Sequence, residues 1–163
     1  MSLFEPIFSA LNERELRYVV VGGTAVVLHG YVRLTVDLDL VVDPAPAASR
    51  HAVEALTGLG LRPRLPVDPS AFADPDQRRI WVEERNLRVF SMWDPDDPLR
   101  EVDLFVEEPI PFEDLWQRSV EVKVGSVSVR VASKTDLIRM KRLAGRPRDL
   151  EDIEALEQID DEE

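Results

Sequence analysis

Two aspartates separated by one residue, Asp37-Leu38-Asp39, are the most chemically suggestive feature of the chain. Side chains two apart on a strand point to the same face. The apolar neighbours Leu38, Leu40, Val41 and Val42 place this pair on a buried strand, where two uncompensated acids repel each other and cost stability. A divalent cation is the natural compensation. The chain has 2 histidines and no cysteine, so its hard oxygen donors favour magnesium or manganese over zinc. A third acid, Asp103, lies alone in the apolar run Val102-Asp103-Leu104-Phe105. If its strand neighbours that of Asp37 and Asp39, three carboxylates can carry two metals and clamp both oxygens of an in-line displacement at phosphorus.

Gly22-Gly23 follows the apolar stretch Tyr18 to Val21 and precedes a helical segment beginning at Thr24. Glycines let the backbone approach a ligand closely, and a helix start offers free N–H groups to phosphate. The neighbouring strand would hold metal, bridged to the loop through phosphate oxygens. Thr35, two residues before Asp37, shares its strand face and lies near the expected phosphates.

The elements that must position these residues alternate between helix and strand. Residues 2–15 show helical spacing of Leu3, Ile7 and Leu11, and a strand is expected over Val36 to Val42. Ala47 to Leu59 reads as a helix stopped by glycines, and residues 62–79 carry no clear pattern. Strands are expected over Leu87 to Trp93 and Glu101 to Val106, with a turn at Asp94 to Pro98. A hairpin should turn at Gly125-Ser126. Ser133 to Asp136 reads as a capping box opening a helix to Leu143, which Gly145 ends. Pro147 fits the first turn of a last helix with the stripe Leu150, Ile153, Leu156 and Ile159. This order predicts an α/β (α+β) chain, with a mixed β-sheet flanked by helices. Residues 1–132 form the expected core, and residues 133–163 a short C-terminal helical pair packed on it.

The 163 residues carry a net charge of -12, which argues against a broad nucleic-acid-binding surface. The charge is uneven, however. Arg130, Lys134, Arg139, Lys141, Arg142, Arg146 and Arg148 form a basic strip beside an acidic tail. The N-terminus lacks the basic start and apolar core of a signal peptide, and no apolar run is long enough to span a bilayer. A cytoplasmic protein that does not enter membranes is expected. Arg148 and Asp152 stand at the i,i+4 spacing of a plain helix ion pair, and Asp149 suits a first helical turn. His29 reads as a packed histidine at a helix end, and Trp81, Trp93 and Trp116 as packing residues.

Taken together, these residues carry a resemblance. Gly22-Gly23, thirteen intervening residues, Asp37-Leu38-Asp39 and a later strand acid resemble the signature of the nucleotidyltransferase superfamily. Val21 to Ala25, Leu28-His29-Gly30, Arg33 to Asp39 and the late block Met140 to Asp149 are similar to the abortive-infection AbiEii-type group and its small relatives. The resemblance covers about residues 17–43 and 100–156. It implies metal-dependent transfer of a nucleotidyl group from a nucleoside triphosphate, with pyrophosphate leaving. Asp37, Asp39 and Asp103 match its metal-ligand and catalytic positions. Lys141 matches a catalytic position of the late block. Gly22, Gly23, Thr24, Arg33, Thr35, Arg148 and Asp149 match nucleotide-binding positions. The acceptor it implies is an RNA (tRNA), a protein or a small-molecule hydroxyl. The setting it suggests is a toxin beside a cognate antitoxin. An antitoxin or regulatory binding module of the same fold, and a drug-modifying enzyme, are the alternatives.

Overall fold

The computed structural model describes residues 3–159. The expected helical turn at Ser2 and the acids from Asp160 onward lie outside the described residues. Chain order begins with α1 (Glu5–Glu13), β1 (Tyr18–Val21), α2 (Gly22–Leu28), β2 (Leu38–Val42) and α3 (Pro46–Gly58). A two-residue β3 (Arg62–Pro63), a 3-10 turn (Pro69–Ala73) and α4 (Pro75–Arg85) fill the middle. Then come β4 (Val89–Asp94), β5 (Asp97–Phe105), α5 (Phe112–Arg118), β6 (Val120–Val124) and β7 (Val127–Val131). The helices α6 (Lys134–Ala144) and α7 (Pro147–Gln158) complete the fold.

One mixed seven-stranded sheet has the order β3-β4-β5-β2-β1-β7-β6. The central strand β1 is apolar and buried on both faces, and its neighbour β2 is buried except at Asp39. β2 runs antiparallel to β1 and parallel to β5. Leu38, Leu40, Phe90, Met92, Val102 and Leu104 point to one face and are fully buried. Phe90 stacks there against Trp81 of α4 and Phe72 of the 3-10 turn, each with ring centroids 5.4 Å away. Alternation sends Asp39, Ser91, Trp93, Glu101 and Asp103 to the opposite face.

β2 starts at Leu38, two residues later than its apolar pattern suggests. β1 ends at Val21, opposite Asp39, where the chain turns into α2, so the residues before Leu38 have no strand partner on the β1 side. Val32, Leu34 and Val36 consequently stand out in solvent. β5 starts earlier than expected, at Asp97, because Asp94 and Asp97 pair around a tight Pro95-Asp96 turn. α4 escapes a periodicity search, since its sequence is mostly polar and buries only Arg78 and Trp81. Its end signals are nonetheless present: Asp74 accepts the Asp76 N–H, Pro75 opens the first turn and Asn86 closes it in the left-handed region. α5 is equally short of periodic signal and buries Phe112 and Leu115.

The hairpin turns at Gly125 as the sequence indicates, and Ser133 accepts the Asp136 N–H at the start of α6. Only half of the expected capping box forms. The Asp136 carboxylate is buried against Arg118, 3.0 Å away, instead of returning to Ser133. Ile153 and Leu156 of α7 are buried, whereas Leu150 of the same expected stripe is exposed. His29 packs at the end of α2, its Nε2 2.8 Å from the Ala132 carbonyl oxygen. Among the described residues no helix is long and apolar enough to cross a membrane.

Gly145 ends α6 at φ +65, a conformation that costs an L side chain about 1 kcal/mol. Gly145→Ala should therefore lower the melting temperature by about 2–4 °C in a thermal melt, without a change in sheet content.

Candidate active site

Asp39 and Asp103 sit side by side on the parallel strands β2 and β5, paired in register. The charge of Asp103 acts on Asp39 across the pair. Ser91, opposite Asp103 on β4, donates its hydroxyl to Asp103 Oδ1 at 2.6 Å. Asp37 lies just before β2, half-buried, and its carbonyl oxygen accepts the hydroxyl of the fully buried Thr24 at 3.2 Å. Thr24 thereby ties α2 to the start of the carboxylate strand.

The acids hold their protons far more firmly than exposed aspartates do. Burial, followed by the charges of Asp103 and Asp37, pushes Asp39 up to about 7, while Lys141 and Arg146 act against the rise. Asp103 is raised mainly by burial and further by Glu101, with the Ser91 hydrogen bond opposing. Burial, Asp103 and Glu101 raise Asp37, and Arg64 opposes them. Among the described residues no three His, Cys, Asp or Glu side chains close around one point as a ready metal cage. The donor set nevertheless fits a hard cation, because it consists of oxygen atoms only and its clustered charge calls for compensation.

Gly22 adopts φ +69, and a Cβ there would overlap the Asp39 carboxylate. At Gly23 a Cβ would stand 2.5 Å from Arg33 Nη1 and 2.9 Å from Thr35 Oγ1. The glycine pair therefore lets the start of α2 press against the acid on one side and against Arg33 and Thr35 on the other. The segment before β2 alternates accordingly, with Arg33, Thr35 and Asp37 turned inward and the apolar residues between them outward.

Lys141 does not stand free at a rim. It is 7% exposed, with Nζ 2.8 Å from Asp152 Oδ2 and 3.6 Å from Asp149 Oδ1. A buried ammonium needs such counter-charges. Arg33 reaches the same Asp152 oxygen at 3.4 Å. Asp149 accepts from the Arg146 backbone N–H and from its guanidinium, at 3.1 and 2.8 Å. This network joins the segment before β2 to α6 and α7, and the charges of Lys141 and Arg146 still reach Asp39. Asp152 is a site residue that the linear pattern hides. The expected ion pair with Arg148 does not form, and Arg148 is exposed. The available signal was the spacing of Asp149 and Asp152, two acids on one helix face next to the apolar Ile153 and Leu156. Arg142 turns away to Glu157. A surface cleft of about 330 Å³ lies elsewhere, beside Pro44, Arg78 and Val106. Arg78 there spends its guanidinium on the carbonyls of Phe105 and Val106.

Solved structures share this architecture. The lincosamide antibiotic adenylyltransferase LnuA in its lincomycin-bound crystal form is 15% identical with a TM-score of 0.63, covering 98% of this chain and 97% of its own. The antibiotic-resistance factor ANT(2'')-Ia in solution is 17% identical with a TM-score of 0.62, over 95% of this chain and 80% of its own. The crystal structure of ANT(2")-Ia with adenylyl-2"-tobramycin gives 17% and 0.62, over 95% and 86%. At these identities the likeness establishes the nucleotidyltransferase fold. No curated protein matches in sequence. The family described as nucleotidyltransferases of unknown function (DUF6036) matches residues 1–161. Fold, carboxylate strand and family agree, and the chain belongs to this family of nucleotidyltransferases.

Proposed function

We propose that the protein transfers a nucleoside monophosphate from a triphosphate to a hydroxyl of a small molecule, with magnesium or manganese held by Asp39, Asp103 and Asp37. The observation that carries this reading is the in-register pairing of Asp39 with Asp103, with the Gly22 backbone pressed against Asp39. A bound divalent ion would neutralise the clustered acids and polarise the phosphoryl oxygens. Gly22 and Gly23 give the triphosphate close access to the backbone beside Asp39. Arg33 and Lys141, fixed by Asp152 and Asp149, supply positive charge to the phosphates, and Thr35 contributes its hydroxyl. The acceptor oxygen bonds to the α-phosphorus, the bond to pyrophosphate breaks, and Asp103 receives the hydroxyl proton.

A small-molecule acceptor is favoured by two observations. The antibiotic adenylyltransferases match nearly the whole of this chain. The basic strip that would attract RNA is largely spent internally. Arg142 and Arg146 are ion-paired, and Arg130 lies over the Trp116 ring. The toxin setting, a tRNA or protein acceptor and an antitoxin partner rest on the AbiEii-type resemblance alone, and the intact acid trio speaks against a purely regulatory module. Labelled triphosphates offered with antibiotics, total RNA and total protein separate these readings. Label appearing only on RNA or protein would overturn the small-molecule acceptor.

Asp39→Asn should lower transfer by roughly 100-fold or more, as loss of one charge-stabilising group at a reaction centre does. Its stability should move the other way. The folded-state value of Asp39 is raised from 3.8 to about 7, so between those values the folded chain binds more protons than the unfolded one. Without divalent metal, wild-type stability should fall as pH rises through that window and level off above it. The Asn variant should show a flatter profile and a higher melting temperature at pH 8. Magnesium at 100 times its dissociation constant should stabilise the wild type by about 2.7 kcal/mol and the variant by much less. A melt series with and without magnesium checks both. Gly22→Ala should also abolish transfer, since its methyl group would occupy the place of the Asp39 carboxylate, and the transfer assay reads this directly.

A further inference from the structure

The open face of the sheet continues outward from Asp103 onto β4 and β3. Trp93 stands opposite Glu101 in the β4–β5 ladder, on the same face as Ser91 and Asp103. Arg64, just after β3, lies over the Trp93 ring at 4.6 Å. It gives Nε and Nη2 to the two Glu101 oxygens at 3.0 and 2.7 Å. The Arg64 charge favours the ionised forms of Asp37 and Asp103, and the Glu101 charge disfavours them. This hand of residues therefore borders the acids on the side away from Gly22, while Lys141 and Arg146 act on Asp39.

In-line displacement places the attacking oxygen and the leaving pyrophosphate on opposite sides of the phosphorus. With the phosphates beside Gly22, Gly23 and Arg33, the acceptor must arrive over β5 and β4. We propose that Trp93, Glu101 and Arg64 form the acceptor subsite, and that it selects an amine-bearing polyhydroxy compound whose ammonium group takes the place of the Arg64 guanidinium on Glu101. The inference rests on the nucleotidyltransferase reading of the same site.

Three observations support this choice of substrate class. Glu101 is an acid of this approach outside the proposed metal ligands, so its charge remains to repel an anionic acceptor and draw a cationic one. The carboxylate side of the pair is fixed and the cation side is loose, since Glu101 is 17% exposed in its side chain and Arg64 49%. The guanidinium side is open to solvent, so a ligand ammonium can reach the same two Glu101 oxygens and compete with Arg64 for them. The half-buried Trp93 ring beneath offers an apolar face to a sugar or cyclitol ring.

Titration calorimetry with magnesium present tests this with tobramycin as the amine-bearing probe, maltotriose as a neutral polyol and an octauridylate as the anionic probe. Tobramycin should bind the wild-type protein at least about tenfold more tightly than either of the others. Glu101→Gln should weaken tobramycin by about tenfold, a loss expected for one charge pair. Arg64→Ala should tighten it severalfold by removing the competing guanidinium, and Trp93→Ala should weaken it. Thermal melts of the three variants establish that each is folded. Weaker tobramycin binding in Arg64→Ala, unchanged binding in a folded Glu101→Gln, no tobramycin binding, or a preference for the octauridylate would each overturn the inference. A separate titration of magnesium–ATP into the wild-type protein reports on the underlying reading. Absence of nucleotide binding there would sink the proposed function itself, whatever tobramycin does.

Discussion

Repulsion between carboxylates on neighbouring strands is the constraint around which the rest of this structure is arranged. Register fixes Asp39 beside Asp103, and the apolar residues on either side of each keep both strands in the sheet centre. The acids therefore cannot move apart without unpairing β2 from β5. The remaining ways to relieve the repulsion are protons, nearby cations or a bound metal. The fold supplies the first two, since Asp39 is pushed up to about 7 and so binds its proton readily, and the fields of Lys141, Arg146 and Arg64 oppose the rise among these acids. A third is what makes such a site chemically useful.

The cost of assembling these acids is offset by packing on the other side of the same strands. Leu38, Leu40, Val102 and Leu104 are fully buried against Phe90 and Met92, so each strand carries core on one face and chemistry on the other. Gly22 turns the chain from β1 into α2 at the point where β1 stops covering β2, which leaves room for the backbone against Asp39. One glycine thus ends a strand, starts a helix and borders the acid.

The parts of the site written in local patterns were legible. Alternation around Asp37, Asp39 and Asp103 gave their common face, and the glycine pair marked the strand-to-helix turn. Long-range contacts were not legible. Nothing in the linear spacing shows that Asp152 would meet Arg33 across more than a hundred residues, and the i,i+4 pattern pointed instead to Arg148. The middle of the chain resisted for another reason. β3 is two residues long and α4 is nearly all polar, so neither carries periodic apolar signal. Their roles, presenting Arg64 and covering Phe90, exist only once the sheet has formed. Trp93 reads as packing in the sequence, but the structure leaves it half-buried under a guanidinium.

The buried network of Arg33, Lys141, Asp149 and Asp152 also bears on how the chain is made. Translation delivers the acids of β2 and β5 well before the helices that bring their countercharges. Until residues 141–152 have left the ribosome tunnel, a nascent chain holds clustered aspartates without the lysine and arginine that α6 and α7 anchor. The sheet then has its least favourable charge balance when it is most exposed to misassembly. Protonation of Asp39, whose burial pushes it up to about 7, relieves the repulsion until α6 and α7 dock.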